Sequence, residues 1–231
     1  MSDNFDTAGG LNSDLATRQA GSLATANWSG SGTISSNALS TTQGALTTPA
    51  VDLTAALTNA DPLVTGFVIS FDAAMTSSVA WSSAYLSTDL ESGNNDERGN
   101  SDFGMLMFAS GTVQAYNSGA TVALGNAALA GLIPGWDISN TNTYSLVATK
   151  NQGTPATGTY DLLINGVEVF SDLAYDFNGG GANNQVNFEI INITNGLATY
   201  DNLSISTTVV PEPASLALLA AGSLLVVRRR G

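Results

Sequence analysis

The chain reads as an all-β protein: a two-sheet antiparallel β-sandwich of the jelly-roll type over residues 1–208, followed by a tail over residues 209–231 that carries a C-terminal transmembrane-type helix. Three observations lead there. Short runs rich in Val, Ile, Phe, Tyr and Thr recur along the body, separated by Gly, Asn and Ser turns. The i, i+3, i+4 period of an amphipathic helix is missing from nearly all of it. The last 21 residues, PEPASLALLAAGSLLVVRRRG, join an uncharged apolar run to half of the chain's six basic residues.

Taken in order, residues 3–48 are polar and turn-rich and read as short strands joined by long loops, with Trp28 as core or strand-edge cover. Residues 51–57 fit a strand or a single helical turn. From residue 63 the alternation sharpens: over 63–71, Phe67, Ile69 and Phe71 share one face, as a half-buried strand requires. Residues 78–86 set Val79, Trp81, Ser83 and Tyr85 on one face and small residues on the other. Residues 103–108 and 112–116 form a hairpin across Ser110-Gly111, and 126–133 is the one short helical candidate of the body. Over 143–150, Tyr144, Leu146 and Ala148 fall in register. The sharpest local signal is 159–170, where Asn165-Gly166 supplies the positive φ angles of a two-residue type I′ turn between two β-forming runs. Residues 185–193 and 198–206 give two more strands around Asn195-Gly196.

The residues ahead of the tail suffice for one large all-β domain, and no charged or Pro-rich linker divides them. Hydrophobic residues make up 43% of the chain and charged ones only 11%, so its polar surface has to come from Ser, Thr, Asn and Gly. Without the three terminal arginines, Arg18, Arg98 and Lys150 stand against 19 acids, which leaves a charge of −16. Such a surface repels nucleic acid and anionic lipid and argues against both as partners.

There is no cysteine and no histidine. That removes Cys-based zinc sites, the commonest metal ligand and general base, and the usual nucleophilic triad. A Ser–Lys pair would have to recruit Lys150, the only lysine, and no serine is marked as its partner. Gly179-Gly180-Gly181 lacks the Lys-Ser/Thr and helix of a phosphate loop and reads as a turn. Paired carboxylates are the remaining enzymatic route, since glycoside hydrolysis needs two acids flanking the bond. Asp89 and Glu91 have the alternating spacing, whereas Asp96/Glu97, Glu168 and Glu189 do not form such a pair. Asp89, Glu91, Asp96 and Asp102, with Asn94 and Asn95, also crowd hard oxygen donors suited in kind to Ca²⁺. Their spacing is irregular, so a solvated acidic loop partly neutralised by Arg98 is the simpler reading, and no cofactor is expected. Trp81, Tyr85 and Trp136 are candidates to stack on sugar rings, although large aromatics serve equally as core or rim packing.

In the tail, Pro211-Glu212-Pro213 is stiff and extended, because each proline fixes φ and biases the residue before it away from helix. Residues 214–227 follow without a charge, and Arg228-Arg229-Arg230 close the chain but for one glycine. As a helix this run spans roughly 21 Å, short of a hydrocarbon core of about 30 Å. Val209, Val210 and snorkelling arginines bring it nearer to a marginal span. A buried C-terminal helix would explain the Ala and Leu content, but not a triple arginine beside an apolar face on every side.

The order Val-Pro-Glu-Pro, short apolar helix, terminal arginines closely resembles the PEP-CTERM sorting signal of Gram-negative bacteria, over residues 209–231 only. The resemblance implies an exported protein held in the inner membrane by Arg228, Arg229 and Arg230 until an exosortase-type membrane protease acts near Pro211, Glu212 and Pro213. Met1 to Asp6 has neither a basic n-region nor an apolar h-region, so a leader is expected upstream of Met1. More diffusely, Phe5-Asp6, the 160–170 hairpin and Tyr200-Asp201-Asn202-Leu203-Ser204-Ile205 resemble concanavalin A-like, laminin-G-type jelly rolls. That likeness implies neighbouring first and last strands, with Phe5 near Leu203. It also brings glucanases into view, but Asp89 and Glu91 lack the third acid of their catalytic strand.

The expectation is an exported, non-enzymatic protein acting at the cell surface or outside the cell, in adhesion or glycan binding linked to extracellular polysaccharide. A divergent glycoside hydrolase and a purely structural surface or matrix protein are the alternatives. Mass spectrometry of the exported protein from its native host should find a species that lacks about twenty C-terminal residues. An intact end at Gly231 in exported material would refute the sorting reading.

Overall fold

The computed structural model describes residues 2–3, 33–35, 38–41, 50–52, 64–75, 81–87, 103–117, 120–151, 154–176, 187–193 and 198–209. Its strands are β1 (Ser2–Asp3), β2 (Thr33–Ser35), β3 (Ala38–Thr41), β4 (Ala50–Asp52), β5 (Val64–Met75), β6 (Trp81–Ser87) and β7 (Phe103–Phe108). They continue as β8 (Val113–Asn117), β9 (Ala120–Leu124), β10 (Asn142–Asn151), β11 (Thr154–Ile164), β12 (Val167–Asp176), β13 (Asn187–Ile193) and β14 (Ala198–Val209). A short helix, α1 (Asn126–Leu132), follows β9.

Two antiparallel sheets form a sandwich. One has eight strands in the order β12-β11-β10-β5-β14-β3-β2, with β1 also pairing β14; the other has six, in the order β4-β13-β6-β7-β8-β9. Ser2 faces Ser204 and Asp3 faces Leu203, so the first and last strands are neighbours, as expected. Phe5 itself, the 195–196 turn and the whole tail from residue 210 lie outside the described residues. Among the described residues no helix is long and apolar enough to cross a membrane.

The strands form where alternation demands them and extend where pairing supports them. β5 runs on past Phe71 to Met75, because Ala73 and Met75 continue the buried face and pair with Asn142 and Ala198. β9 was not anticipated: Ala-Thr-Val-Ala-Leu is weak in β-formers, and its ladder with β8 from Val113–Leu124 to Asn117–Ala120 stabilises it. Residues 50–52 of the ambiguous early stretch are strand, paired with β13. The helix at 126–132 buries only Leu129 and, with Ile133, Trp136 and Ile138, joins the core.

Phe67, Ile69 and Phe71 of β5, with inward residues of β10, β11 and β14, meet Leu86, Phe103, Met105 and Met107 of the six-stranded sheet. All six tyrosines of the chain are shut from solvent. Burying a phenol is favourable only when its hydroxyl finds a partner, and two of them reach across the sandwich. The Tyr160 hydroxyl lies between the carbonyl oxygens of Gly104 (3.0 Å) and Tyr116, and Tyr200 bonds to Ser82. Burial pushes the hydroxyls of Tyr144, Tyr175 and Tyr200 well above the usual phenol range.

The β11–β12 hairpin turns as expected, with Asn165 at φ 52° and Gly166 at φ 77°. Asn165 also ties the turn to β10: its N–H donates to the Thr143 carbonyl (2.8 Å) and its Oδ1 accepts from the Thr143 N–H (2.9 Å). A side chain at Gly166 meets no atom, so only backbone strain opposes it. Gly166→Val should therefore cost about 1–3 kcal/mol, read as a lower denaturation midpoint, and an unchanged midpoint would contradict the assigned turn.

The tyrosines make stability pH-dependent on the alkaline side. Their folded-state pKa values lie above the unfolded value of about 10, so the stabilisation is complete below that pH and is lost as pH rises above it. Three such groups should lower stability by about 4 kcal/mol per pH unit beyond pH ~10. Phenolate absorbance should appear together with unfolding; titration in a still-folded protein would count against this account.

Candidate functional site

In β6, β7 and β8 the residues that do not face the core form a second layer on the outward side of the six-stranded sheet. Pairing sets Trp81 opposite Phe108, Ser83 opposite Leu106 and Tyr85 opposite Gly104. Residues directly opposite in an antiparallel ladder share a face, so Trp81, Tyr85, Leu106 and Phe108 gather there, joined from β8 by Tyr116. Tyr85, Leu106 and Tyr116 are buried, while Trp81 and Phe108 pack half-buried against them.

Gly104 makes this layer possible. A Cβ at that position would overlap the Cβ and Cα of Tyr85, so glycine lets β6 and β7 approach closely there. Tyr85 then meets Tyr116 edge-on, with ring centroids 6.3 Å apart at 85°. The Tyr116 hydroxyl sits 3.2 Å from Ser83 Oγ. Beside them the Oε1 of Gln114 is buried and finds no hydrogen-bond partner among the described residues. On the neighbouring strand β13, Glu189 takes the position opposite Tyr85.

The structure thus brings two of the three aromatic candidates, Trp81 and Tyr85, into one cluster. Trp136 lies elsewhere, 8% exposed, within the core. Leu106, Phe108 and Tyr116 were missed as partners. The available signal was Phe-Gly-Met-Leu-Met-Phe, which has no polar residue at either parity and so marks a strand covered on both faces. The acidic candidates Asp89, Glu91, Asp96 and Asp102, and the tail residues Pro211, Glu212, Pro213, Arg228, Arg229 and Arg230, lie outside the described residues.

Three carboxylates of the described residues are engaged locally. Asp72 accepts from Thr143 (2.6 Å) and Asn202 (2.8 Å), and Asp161 accepts from the Asp172 N–H (2.9 Å). The Ser139 N–H and hydroxyl hold the exposed Asp137 carboxyl below its usual range. Among the described residues no group of three or more Asp or Glu is placed to hold a metal ion. Lys150 is buried, on the inward face of β10 and opposite Gly158. Chemically, the β6–β8 face offers the half-buried rings of Trp81 and Phe108, which are equipment for stacking, above hydroxyls that are themselves buried.

Residues 209–230 match the family described as the PEP-CTERM protein-sorting motif. The motif marks an exported protein that is recognised and processed by an exosortase, a membrane protease, and that is destined for the cell surface or the medium. No curated protein matches the chain. Among solved structures, the chain is similar to the Trypanosoma rangeli sialidase, at 10% identity over 80% of this chain and 27% of that one, with a TM-score of 0.50. It is also similar to the alginate lyase Aly36B, at 14% identity over 80% of this chain and 88% of that one, with a TM-score of 0.48. A third likeness is to the carbohydrate-binding module CBM66 from Bacillus subtilis, at 8% identity over 77% of this chain and 92% of that one, with a TM-score of 0.42. At these identities the likeness is one of fold. The sialidase match spans about a quarter of that protein.

Proposed function

We propose that the exported protein binds a neutral polysaccharide through the outward face of its six-stranded sheet, and does so without cleaving it. The observation that carries this reading is the cross-strand pair Trp81–Phe108, half-buried on a base of Tyr85, Leu106 and Tyr116. A partly exposed aromatic pair on a rigid base gives the apolar face of a sugar ring a surface to stack on at little cost in side-chain order. The Ser83–Tyr116 hydroxyl pair lies buried beneath these rings and helps to fix the base on which they rest. Net charge favours a neutral polymer over an acidic one, since the −13 chain repels polyanions.

A second reading, a divergent glycan-cleaving enzyme, draws on Glu189 at its register position opposite Tyr85. Cleavage by hydrolysis needs a second acid across the bond, and the described side chains of the β6–β8 face include no carboxylate. The third reading, a structural matrix protein, makes no use of the aromatic pair.

The test is a panel of neutral and acidic polysaccharides, scored for binding and for release of sugar ends. Binding to a neutral polymer is expected without release, and Trp81→Ala or Phe108→Ala should weaken it about 10- to 30-fold, as loss of an aromatic anchor does. Each variant loses packing on the Tyr85–Leu106–Tyr116 base, so binding is compared at a temperature at which variant and parent are both folded. Release of sugar ends would favour the enzyme, and no binding to any polymer would favour the structural role.

A further inference from the structure

β9 ends the six-stranded sheet and pairs on one side only, with β8. Ala120, Thr121 and Ala123 are exposed, and the outward row of backbone N–H and C=O groups takes no backbone partner among the described residues. Such an edge is a template for another strand, and proteins usually blunt it with charge, proline or a bulge. β12, an end strand of the other sheet, is blunted in this way. It carries Glu168, Asp172 and Asp176, turns Asp172 to φ 54° against Asp161, and gives the Ala174 N–H to Asn117 Oδ1 (2.9 Å). β9 has none of these devices.

Charge singles out the same place. No acid or base occurs between Asp102 and Asp137, a stretch that covers β7, β8, β9 and α1 in a chain of net charge −13. Leu132, 48% exposed and the one large apolar side chain in that state among the described residues, is on the helix that directly follows β9. Two strongly acidic bodies repel one another where carboxylates meet, and a strand free of charge adds nothing to that repulsion.

We propose that two copies of the chain pair β9 to β9, antiparallel across a two-fold axis, joining their six-stranded sheets into one of twelve strands. A two-fold axis closes the assembly and requires a self-complementary strand. With all five residues paired, Ala120 faces Leu124 of the second copy, Thr121 faces Ala123, and Val122 faces its own equivalent on the axis. Main-chain hydrogen bonds supply the attraction, as in other strand additions to a sheet edge.

The chain has no cysteine, so a single introduced one reports its own position. Directly opposed residues in an antiparallel pair lie within disulfide reach. Full-length protein in a neutral detergent would be mildly oxidised and its covalent dimer measured on a non-reducing gel. Val122→Cys should cross-link most, Thr121→Cys and Ala123→Cys less, and Ser206→Cys on the opposite sheet only at background. This pattern separates strand pairing from any association through the apolar tail. In the Val122→Cys background, Thr121→Asp with Ala123→Asp opposes like charges twice and should cut the dimer roughly tenfold at an unchanged melting temperature. If that pair of aspartates lowers the melting temperature, the corresponding lysine pair is measured instead, with the same expected loss. Equal cross-linking at 122 and 206, or a dimer indifferent to charge in a folded variant, overturns the proposal and leaves the edge to a strand from another protein.

Discussion

The sandwich depends on hydroxyl groups that cross its apolar interior. A buried phenol without a partner is costly, and a buried carbonyl likewise. Tyr160 on β11 resolves both at once, because its hydroxyl sits against the Gly104 and Tyr116 carbonyls of the opposite sheet. Tyr200 on β14 does the same with Ser82 on β6. Apolar contacts alone would let two sheets slide over one another at modest cost, since burial is non-directional. Hydrogen bonds have direction and reach, and these two hold β11 and β14 to fixed points on β6, β7 and β8. The rings then pack around the anchors: Phe103 lies 4.2 Å from Tyr160 and meets Tyr175 edge-on at 5.3 Å, centroid to centroid.

The outward aromatic layer follows from that anchoring. β7 is approached closely at Gly104 from both sides, by the Tyr160 hydroxyl from within and by the Cα and Cβ of Tyr85 from without. A glycine is the residue that allows both approaches, so the inner staple and the outer layer share one backbone position. The placement of Trp81 and Phe108 is then set by ladder register, which runs unbroken from Leu86–Phe103 to Trp81–Phe108.

Much of this was legible in the residues before any coordinates. Alternation over Phe67, Ile69 and Phe71 marked β5, and Asn165-Gly166 marked the hairpin down to its turn type, because both signals are local. The tail was legible for the same reason: proline, apolar run and arginine cluster are contiguous. What escaped was decided at a distance. β9 is made of small residues whose strand state rests on pairing with β8. The layer beneath Trp81 draws on three strands, and only register tells that Phe108 and Trp81 are neighbours. Trp136 illustrates the converse: its composition suits a sugar platform, but the turn after α1 carries it into the core beside Ile133 and Ile138.

The two outward faces differ in a way that bears on the proposed glycan site. On the eight-stranded sheet the outer face mixes Val68, Val147 and Leu163 with polar residues that are satisfied among themselves, and it carries no aromatic pair in register. Ser70 and Ser145 lie 3.1 Å apart, Thr65 reaches Thr208 at 3.4 Å, and Asp72 is taken by Thr143 and Asn202. A ligand there would have to break existing hydrogen bonds and would gain less apolar area in return. On the six-stranded sheet the outer residues are large, the aromatic pair is only half covered, and the Gln114 oxygen has no partner among the described residues. A sugar stacked on Trp81 and Phe108 would bury more apolar area there. The hydrophobic gain thus favours the six-stranded sheet, whose end strand β9 is also free of charge.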